Sequence, residues 1–409
     1  MIKERANEGI KPALKALARK AGAVAIAASL SIGAGAAISS STNQGISASA
    51  AAAACTAQDN LVSSTAAAPR NRRIAVYDSK AMAALQGMYD QDTGLFNNAA
   101  QWQQPFILST IMNYSELSGN YRYMSDVCRT FVLNKASGFS DSYNDDNGWW
   151  ALAWIKAYNM TRDSMYLAAS ESLFKGMSAS WSRECGGGIP WTTSGPYKNS
   201  ISNELFMRVG IGLYLATGDR WYLSQAIKDY SWFMSKGLIN GSNQVLDGLD
   251  RNCRPGGGIW TYNSGEMIGV LTDLARATGN RADLAKAEAI ANSIDSSSVN
   301  RKGMLIEIGC SHTKNCNIDF NPSQPAKGSF TINSSEFNGI YMMNLYGLYL
   351  ADHNTAYLGF IVKNANSIVS NDKNKNHIIG MNWSVPSHYI AAIEGSTQAA
   401  GITVLNAGQ

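Results

Sequence analysis

Two adjacent acidic residues, Asp145 and Asp146, begin a segment whose apolar residues recur at helical spacing, N-D-D-N-G-W-W-A-L-A-W. Capping explains one acid at a helix start, because free backbone amides and the helix dipole stabilise negative charge there. A cap needs only one carboxylate, and in a turn entering a helix two neighbouring side chains can converge on one pocket. Like charges held close together split their proton affinities. The pair therefore favours a site in which one carboxylate acts as a nucleophile while the other stays protonated as an acid.

Three tryptophans follow these acids: Trp149 and Trp150 directly, and Trp154 one turn later. Sugar faces stack on such rings, so the combination favours a carbohydrate substrate. Two glycine-rich loops, Cys185–Trp191 and Pro255–Asn263, resemble each other as C-G-G-G-I-P-W and P-G-G-G-I-W-T-Y-N. Neither continues into the G-K-S or G-K-T of a phosphate loop. Their glycines indicate a close backbone approach to a ligand, a tight hairpin before the next helix, or plain loop flexibility, and the sequence leaves these interpretations open.

The sequence argues against several other kinds of site. Its four histidines have no metal-ligand spacing, and it contains no C-x-x-C pair and no G-x-S-x-G motif. We therefore expect neither a metal nor a cofactor. The formal net charge of +4 is carried by the first 50 residues, so the rest of the chain is close to neutral. A nucleic-acid partner is therefore not expected.

The elements that must position the acids are helical. Four apolar helical patterns end in similar sequences, and three of them have a glycine, Gly119, Gly218 or Gly279, where a left-handed cap would end a helix. The copy at Tyr158–Asp163 has no such glycine, and neither has a fifth at Tyr349–Asn354. A more ordinary amphipathic segment follows each of the five helices. The chain is therefore predicted to alternate between two kinds of helix.

The amphipathic segments predict the second helix of each pair. They are Tyr123–Lys135, Tyr166–Ser180, Trp221–Lys236, Ala282–Ser296 and Ala356–Ser370, and single helices at Asp78–Tyr89 and Tyr389–Leu405 complete the set. Helical hairpins in succession form either an open solenoid or a closed ring. Their uneven spacing favours the ring. We therefore predict an all-α fold, a closed ring of six helical hairpins in a single domain over residues 73–409.

The chain begins with a segment typical of a secretory leader, predicted over residues 1–50, and a low-complexity linker is predicted over residues 51–72. Basic residues precede the uncharged apolar run Ala21–Ile38, and small residues follow up to Cys55. An uncleaved membrane anchor is the alternative, because 18 apolar residues lie at the short end of what spans a bilayer. Lipid attachment at Cys55 is disfavoured, because the leucine expected upstream is missing. The protein is expected to be secreted, with membrane contact only if the leader is retained.

Six cysteines fit the oxidising compartment that a leader implies. Cys310 and Cys316 are near enough in sequence to close a short loop, and Cys185 with Cys253 would join the two glycine-rich loops. Sequence does not fix connectivity, so both bridges are predictions.

Four motifs, in their order and spacing, resemble the α-1,6-mannanases of glycoside hydrolase family 76, and the resemblance spans nearly all of the predicted domain. The motifs are D-D-N-G-W-W-A-L-A-W at Asp145–Trp154, C-G-G-G-I-P-W followed by I-S-N-E-L-F at Ile201–Phe206, D-G-L at Asp247–Leu249, and W-T-Y-N-S-G at Trp260–Gly265. The resemblance implies an (α/α)6 toroid. The chain departs from the family pattern at Glu336–Met343, where E-F-N-G-I-Y-M-M stands in place of F-K-G-I-F.

The resemblance also implies roles for single residues. Asp145 would be the nucleophile and Asp146 the general acid/base of a retaining mechanism, in which two carboxyl groups stand about 5–5.5 Å apart. The implied substrate-binding residues are Trp149, Trp150, Asn203, Asp247, Tyr262, Asn263 and Phe337. The resemblance implies no metal and no cofactor.

Three functions remain open at this point. The first is a secreted, monomeric endo-α-1,6-mannanase that hydrolyses an α-mannan backbone through a covalent mannosyl-enzyme. The second is a mannan transglycosylase acting in cell-wall glycan cross-linking, which uses the same intermediate but excludes water. The third is a non-catalytic glycan-binding protein, which would need the aromatic residues more than two adjacent acids.

Overall fold

The structure is a computed structural model of the chain, and it describes residues 47–55, 69–307, 336–371, 375–384 and 395–409. These residues form thirteen α-helices. The helices are α1 (Ala48–Cys55), α2 (Arg72–Gln86), α3 (Gln104–Ser118), α4 (Met124–Asn134), α5 (Asn144–Thr161), α6 (Ser164–Ala179), α7 (Ser200–Thr217), α8 (Arg220–Ser235), α9 (Thr261–Thr278), α10 (Arg281–Ser297), α11 (Phe337–Asp352), α12 (Thr355–Asn371) and α13 (Gly395–Gly408).

Six of these helices form an inner ring. Helices α3, α5, α7, α9, α11 and α13 contact one another in that order, and α13 closes the ring on α3. Each of α4, α6, α8, α10 and α12 follows its inner partner and packs against it, while α2 packs against α13. The predicted closed ring of six helical hairpins is therefore confirmed.

The ring has two different ends, because the chain returns along an outer helix between successive inner helices. All six inner helices therefore run in the same direction. We call the end that carries their N-termini the mouth, and the other end the opposite end. Asp145 and Asp146 stand in the first turn of α5 and so lie at the mouth.

Burial separates the inner helices from the outer ones. Every residue of α13 is buried, whereas α8 buries only a stripe that includes Tyr222, Ala226 and Phe233. A helix that contacts neighbours on all sides needs small or apolar residues all round, and an outer helix needs only one apolar stripe. Full burial of a large apolar side chain contributes ~1.5–3 kcal/mol. The apolar side chains packed between the inner and outer helices therefore stabilise the fold.

Five inner helices end in the left-handed conformation. Gly119, Gly218 and Gly279 have φ angles of 70°, 78° and 77°, which confirms the predicted caps. Arg162 and His353 end the two helices that lack a glycine, and they take the same conformation at φ 59° and 60°. In both, the backbone N–H donates to the carbonyl four residues earlier, at 2.7 and 2.8 Å. The cap geometry is thus kept where the sequence signal for it is missing.

A disulfide between Cys55 and Cys128 attaches α1 to α4. The boundary predicted between leader and linker falls inside α1, and Gly45–Gln409 forms one compact unit. Because Cys55 is in a disulfide, it has no free thiol for lipid attachment. This agrees with the sequence, which disfavours a lipid anchor at Cys55. The predicted Cys310–Cys316 bridge lies outside the described residues.

Strands are short among the described residues. β1 (Tyr89–Asp90) pairs antiparallel with β2 (Leu95–Phe96), and β3 (Gly248–Leu249) pairs antiparallel with β4 (Pro255–Gly256). The β3–β4 hairpin lies in the connection before α9. Asn199, the N-cap of α7, bridges to Gly248 in β3. This hairpin is therefore joined to the mouth of the ring.

Candidate active site

The first turn of α5 is attached to the loop Cys185–Trp191. The backbone N–H of Asn144 donates to the Trp191 carbonyl at 2.8 Å, and its side-chain amide donates to the Pro190 carbonyl at 2.9 Å. Tyr143, the N-cap of α5, makes no side-chain cap hydrogen bond. The helix start is therefore held by Asn144 and the neighbouring loop, and both acids of the first turn face the mouth.

Asp145 has a single hydrogen-bond donor from the loop. Its Oδ2 accepts a hydrogen bond from the indole Nε1 of Trp191 at 3.0 Å, whereas its buried Oδ1 has no partner. Burial raises the pKa of Asp145 to about 7, against the opposing effect of the Trp191 indole and the backbone amides of the helix start. A carboxyl group in this setting is poised to ionise near neutral pH.

Asp146 binds its proton more tightly than Asp145 does. Burial raises its pKa first, and the negative charges of Asp145 and Asp141 raise it further. Among the described residues, no lysine or arginine contributes to the shift of either acid. The two pKa values are thus pushed apart in the order that a nucleophile beside a proton donor requires.

Asp247, Tyr262 and Phe337 lie close together near the two acids. Asp247 accepts a hydrogen bond from the Tyr197 hydroxyl at 2.9 Å. Burial raises the pKa of the Tyr262 hydroxyl most, and the negative charges of Asp247 and Asp145 raise it further. The Tyr262 ring stacks on Phe337, with centroids 3.9 Å apart. The structure therefore brings three of the predicted substrate-binding residues together beside Asp145.

Two further predicted residues, Asn263 and Asn203, are fully buried. The Asn263 side chain acts on the Asp247 carboxyl and lowers its pKa, against the larger upward effect of burial. Asn203 is engaged with the backbone: its Oδ1 accepts from the Ile189 N–H at 2.7 Å, and its Nδ2 donates to the carbonyls of Ile189 and Asn199 at 3.0 and 2.6 Å. Asn203 therefore holds the glycine-rich loop in place.

The two tryptophans after the acids point in different directions. Trp150 is 1% exposed and packs between Phe139 and Trp154, with ring centroids 5.0 and 5.4 Å away. Trp149 is 6% exposed and lines a cavity of about 430 Å³ inside the ring, which Phe106 also lines. Consecutive helical residues are rotated by about 100°, so the two indoles point to different sides of α5. Neither indole has a face that is open to solvent at the mouth in this conformation.

Exposed aromatic rings at the mouth come instead from residues that the sequence analysis did not select. Tyr143, Trp191 and Tyr197 are 39%, 40% and 38% exposed, and their neighbouring ring centroids are 5.1 and 6.3 Å apart. Trp260 packs edge-on against Phe337 at 5.8 Å. The available signal was position, because Trp191 ends the glycine-rich motif and Trp260 stands one residue before the helix start of α9.

The glycine-rich loop needs its glycines for close packing. Gly187 and Gly188 have φ angles of 146° and 85°, and a Cβ at either would lie within 2.8 Å of the Trp232 ring. Close packing of the backbone against the Trp232 ring, rather than approach to a ligand or plain flexibility, therefore explains these two glycines. The predicted Cys185–Cys253 disulfide is present and ties this loop to the β3–β4 hairpin. The loop that carries Trp191 is thus fixed on both sides.

With this geometry described, the chain can be compared with known proteins. The model of glycosyl hydrolase family 76 matches residues 62–407. This match covers most of the sequence, and the chain belongs to glycosyl hydrolase family 76.

Several named relatives share part of the sequence. The mannan endo-1,6-alpha-mannosidase DCW1 of Saccharomyces cerevisiae is 26% identical over 259 residues, which cover 56% of this chain and 57% of that protein. DCW1 of Candida glabrata is 31% identical over 258 residues, with the same coverage of both chains. The matched segment thus spans little more than half the length of these curated relatives.

Solved structures share the fold. An inactive variant of the alpha-1,6-mannanase GH76A of Salegentibacter sp. HEL1_6, with two consecutive aspartates replaced, was solved with alpha-1,6-mannotetrose. It is similar with a TM-score of 0.69 and 22% identity, covering 82% of this chain and 98% of that one. Dfg5 from Chaetomium thermophilum, in complex with glucosamine, is similar with a TM-score of 0.69 and 16% identity, covering 83% and 90%.

Proposed function

We propose that the protein is a retaining endo-α-1,6-mannanase that hydrolyses the α-1,6-mannan backbone, with Asp145 as nucleophile and Asp146 as general acid/base. The observation that carries this proposal is the unequal pair at the mouth: two adjacent carboxyl groups, both with raised pKa, of which Asp146 holds its proton more tightly. Burial without a cationic partner leaves each group free to exchange a proton with substrate.

In the first step Asp146 donates its proton to the glycosidic oxygen, and the bond from that oxygen to the anomeric carbon breaks. A carboxylate oxygen of Asp145 forms a bond to the same carbon and gives a covalent mannosyl-enzyme. The Trp191 indole, which donates to Oδ2 of Asp145, stabilises the carboxylate before attack and orients it. Asp145 and Asp146 both stand in the first turn of α5, which opens on the mouth. Their side chains, although rotated by about 100° from each other, can therefore approach one glycosidic bond from two sides.

In the second step Asp146, now a carboxylate, takes a proton from water. The water oxygen attacks the anomeric carbon, and the bond to Asp145 breaks. Two inversions at one carbon retain its configuration. The step returns the proton to Asp146 and the charge to Asp145, so the pair ends in the protonation state in which it began.

The substrate site follows from the residues around this pair. We assign Asp247, Tyr262 and Phe337 to the sugar that is cleaved, and the exposed rings of Trp191 and its neighbours to flanking sugars. Asn263, which is fully buried, acts on the substrate through the Asp247 carboxyl. Trp149, Trp150 and Asn203 act on the substrate indirectly, because their side chains pack within the ring or hold the glycine-rich loop. The choice of mannan is supported by the names of the relatives, which are mannan endo-1,6-alpha-mannosidases.

Incubation of the full chain with unbranched α-1,6-mannan tests this function. Proton NMR of the first products should show short α-configured oligosaccharides, because two inversions restore the configuration. First products in the β configuration would overturn retention, and release of mannose alone would overturn the endo mode. A 2-fluoro-mannosyl inactivator should add one mannosyl group to Asp145, detected by peptide mass spectrometry.

Addition of a mannosyl acceptor tests the transglycosylase. Longer products that replace hydrolysis at moderate acceptor concentration would favour transfer over water. A protein that binds mannan without cutting it would be a glycan-binding module, which the unequal acid pair argues against.

We also propose that the protein is secreted and acts as a monomer. Two disulfides among the described residues are typical of an oxidising compartment. No helix in the described part of the chain is both long and apolar enough to cross a bilayer. Fractionation of culture medium and cells tests secretion, and light scattering of the purified protein tests the monomer.

A further inference from the structure

A third carboxylate, Asp141, is fixed beside the catalytic pair. Asn147 clamps its backbone: the Asp141 N–H donates to Oδ1 of Asn147 at 2.9 Å, and Nδ2 of Asn147 donates to the Asp141 carbonyl at 3.2 Å. The Tyr143 N–H donates to Oδ1 of Asp141 at 2.7 Å. Asn147 is buried one position after Asp146 on the same helix. The segment before α5 is therefore held in register with the first turn of that helix.

The Asp141 and Asp146 carboxyl groups contact each other through a side-chain hydrogen bond. Two carboxyl groups can share a hydrogen bond only if one of them is protonated. Asp141 is exposed, whereas Asp146 is only partly exposed. Burial is the largest cause that raises the pKa of Asp146, so the shared proton resides on Asp146.

Resting on the proposed function, we propose that Asp141 is a positioning residue that accepts a hydrogen bond from protonated Asp146 and keeps the proton on that residue between turnovers. When Asp146 gives its proton to the leaving oxygen, two carboxylates remain in contact. Their repulsion makes Asp146 a stronger base, and it takes a proton from the attacking water in the second step. The proton count over a full cycle is unchanged.

Other titratable groups around the pair do not replace this role. Asp145 stands on the same turn and also raises the pKa of Asp146. Asp145, Asp247 in the loop before α9 and Glu204 of α7 all act on Tyr262 of α9. Within the described residues, Asp141 and Asp145 are the charged groups that act on Asp146. The charge of Asp141 also raises the pKa of Asp145, but as the smallest of the causes that act on that group. Removing the charge of Asp141 should therefore act more strongly on Asp146, which Asp141 contacts directly, than on Asp145.

Asp141→Asn is the test, because it keeps an oxygen acceptor for the Tyr143 N–H and removes the charge. The pH profile of kcat/KM on α-1,6-mannan should have its alkaline limb shifted to lower pH by about one unit. The reason is that a nearby negative charge no longer holds the proton on Asp146. An aryl α-1,6-mannobioside with a good leaving group needs no acid, so its rate of aryl release should change less than twofold. The acid limb should move to lower pH by a smaller amount, because the charge of Asp141 is only the smallest of the causes that act on the pKa of Asp145.

Asp163→Asn is the matched control. Asp163 is exposed and accepts a hydrogen bond from the N–H two residues later, as Asp141 does, but it stands at the far end of α5. An alkaline limb that is the same in Asp141→Asn, Asp163→Asn and wild type would overturn the proposal while leaving the mannanase function intact. If Asp141→Asn fails to fold, Asp141→Ser supplies a hydroxyl for the same turn without a charge. Wild type that cuts no mannan would instead contradict the proposed function.

Discussion

Acidic residues in two regions of the ring stand in opposite electrostatic settings. At the mouth, Asp145 and Asp146 have no cationic partner among the described residues, and their pKa values are raised. Toward the opposite end, Glu266 is fully buried and accepts two hydrogen bonds from Arg208, at 2.9 and 2.7 Å. Asp273 bridges Arg208 at 3.3 Å. Carboxyl groups thus lack a cationic partner in one region and are paired with a guanidinium in the other.

The difference shows how a single scaffold separates chemistry from stability. A buried carboxylate beside a well-placed guanidinium is held by charge-assisted hydrogen bonds, and removing either partner destabilises the fold. A buried carboxyl group without one destabilises the fold when ionised, but its pKa lies where catalysis needs it. Substitutions made in one region at a time therefore show whether activity or stability depends on that region.

The largest effect is expected when the mouth acids lose their charge. Asp145→Asn and Asp146→Asn should each lower kcat on α-1,6-mannan by about 10³-fold or more, because the nucleophile or the proton donor is removed. Neither should destabilise the fold, and Asp145→Asn should raise the free energy of unfolding by about 1 kcal/mol at neutral pH. Enzyme assays and urea unfolding measure both. If either variant loses activity because it unfolds, the mouth acids support stability as well, and the distinction between the two regions fails.

The same substitution predicts a pH effect on stability. The raised pKa of Asp145 means that the native state keeps its proton up to about pH 7, whereas the unfolded chain releases it near pH ~4. The contribution of this group to stability is therefore complete below pH ~4 and is lost as the pH rises towards 7. Asp145→Asn should flatten the decline of unfolding free energy across this window.

In the cluster of Arg208, Glu266 and Asp273, Glu266→Gln should destabilise the fold by about 3 kcal/mol. The substitution removes the negative charge that pairs with the buried guanidinium of Arg208. Thermal and urea unfolding measure the loss, and mannan hydrolysis by the folded fraction should persist. Asp273→Asn is the control: its side chain is 21% exposed, so a smaller loss is expected. Equal losses from the two variants would show that burial does not set the difference.

A milder change at the mouth tests the hydrogen bond to the nucleophile. Trp191→Phe removes the indole N–H that lowers the pKa of Asp145. Since kcat/KM requires ionised Asp145, activity rises as the pH rises through that pKa, and the acid limb should move up by about one pH unit. Tyr197→Phe, which removes the donor to Asp247 instead, should leave the acid limb in place. Coincident limbs for Trp191→Phe and wild type would contradict the assignment of Asp145.

The smallest effect is expected at the opposite end, where the inner helices finish. His353→Gly should stabilise the fold by about 0.5–1 kcal/mol, because glycine takes the left-handed conformation without a Cβ clash. Gly218→Ala should destabilise it by a similar amount, since a Cβ there meets no other atom and only the backbone conformation is strained. Melting temperatures measure both, and mannan hydrolysis should not change. A change in activity would show that the two ends are not independent.

The helices and the acid pair could be predicted from the sequence because their signals are local. Apolar spacing placed the outer helix Arg220–Ser235 within one residue of its prediction at both ends, and Gly218 marked the end of the preceding inner helix. The caps at Arg162 and His353 carry no such local signal. Their left-handed conformation follows from the return of the chain to an outer helix, which tertiary packing enforces.

Side-chain direction at the site could not be read from residue type. Tryptophan is a residue type that stacks on sugars, and Trp149 and Trp150 were predicted to do so. Their indoles instead pack among the helices, because a helix rotates successive side chains to different faces. Asn203 holds a loop backbone for the same reason: its position on α7 faces Ile189. The Cys55–Cys128 bridge joins residues 73 positions apart, and no local pattern encodes such a pairing.

That bridge has a mechanical consequence. Tension applied to the chain at α1 passes through a covalent bond into α4, at the outside of the ring, and bypasses all residues from 56 to 127. Helix α2, which would otherwise be the first to be peeled from the ring, therefore carries no load. If the chain is attached to a surface through its N-terminal side, the load enters the ring at α4 rather than at α2. Reduction of the Cys55–Cys128 bridge would return the load to α2 and lower the force at which the ring begins to unfold.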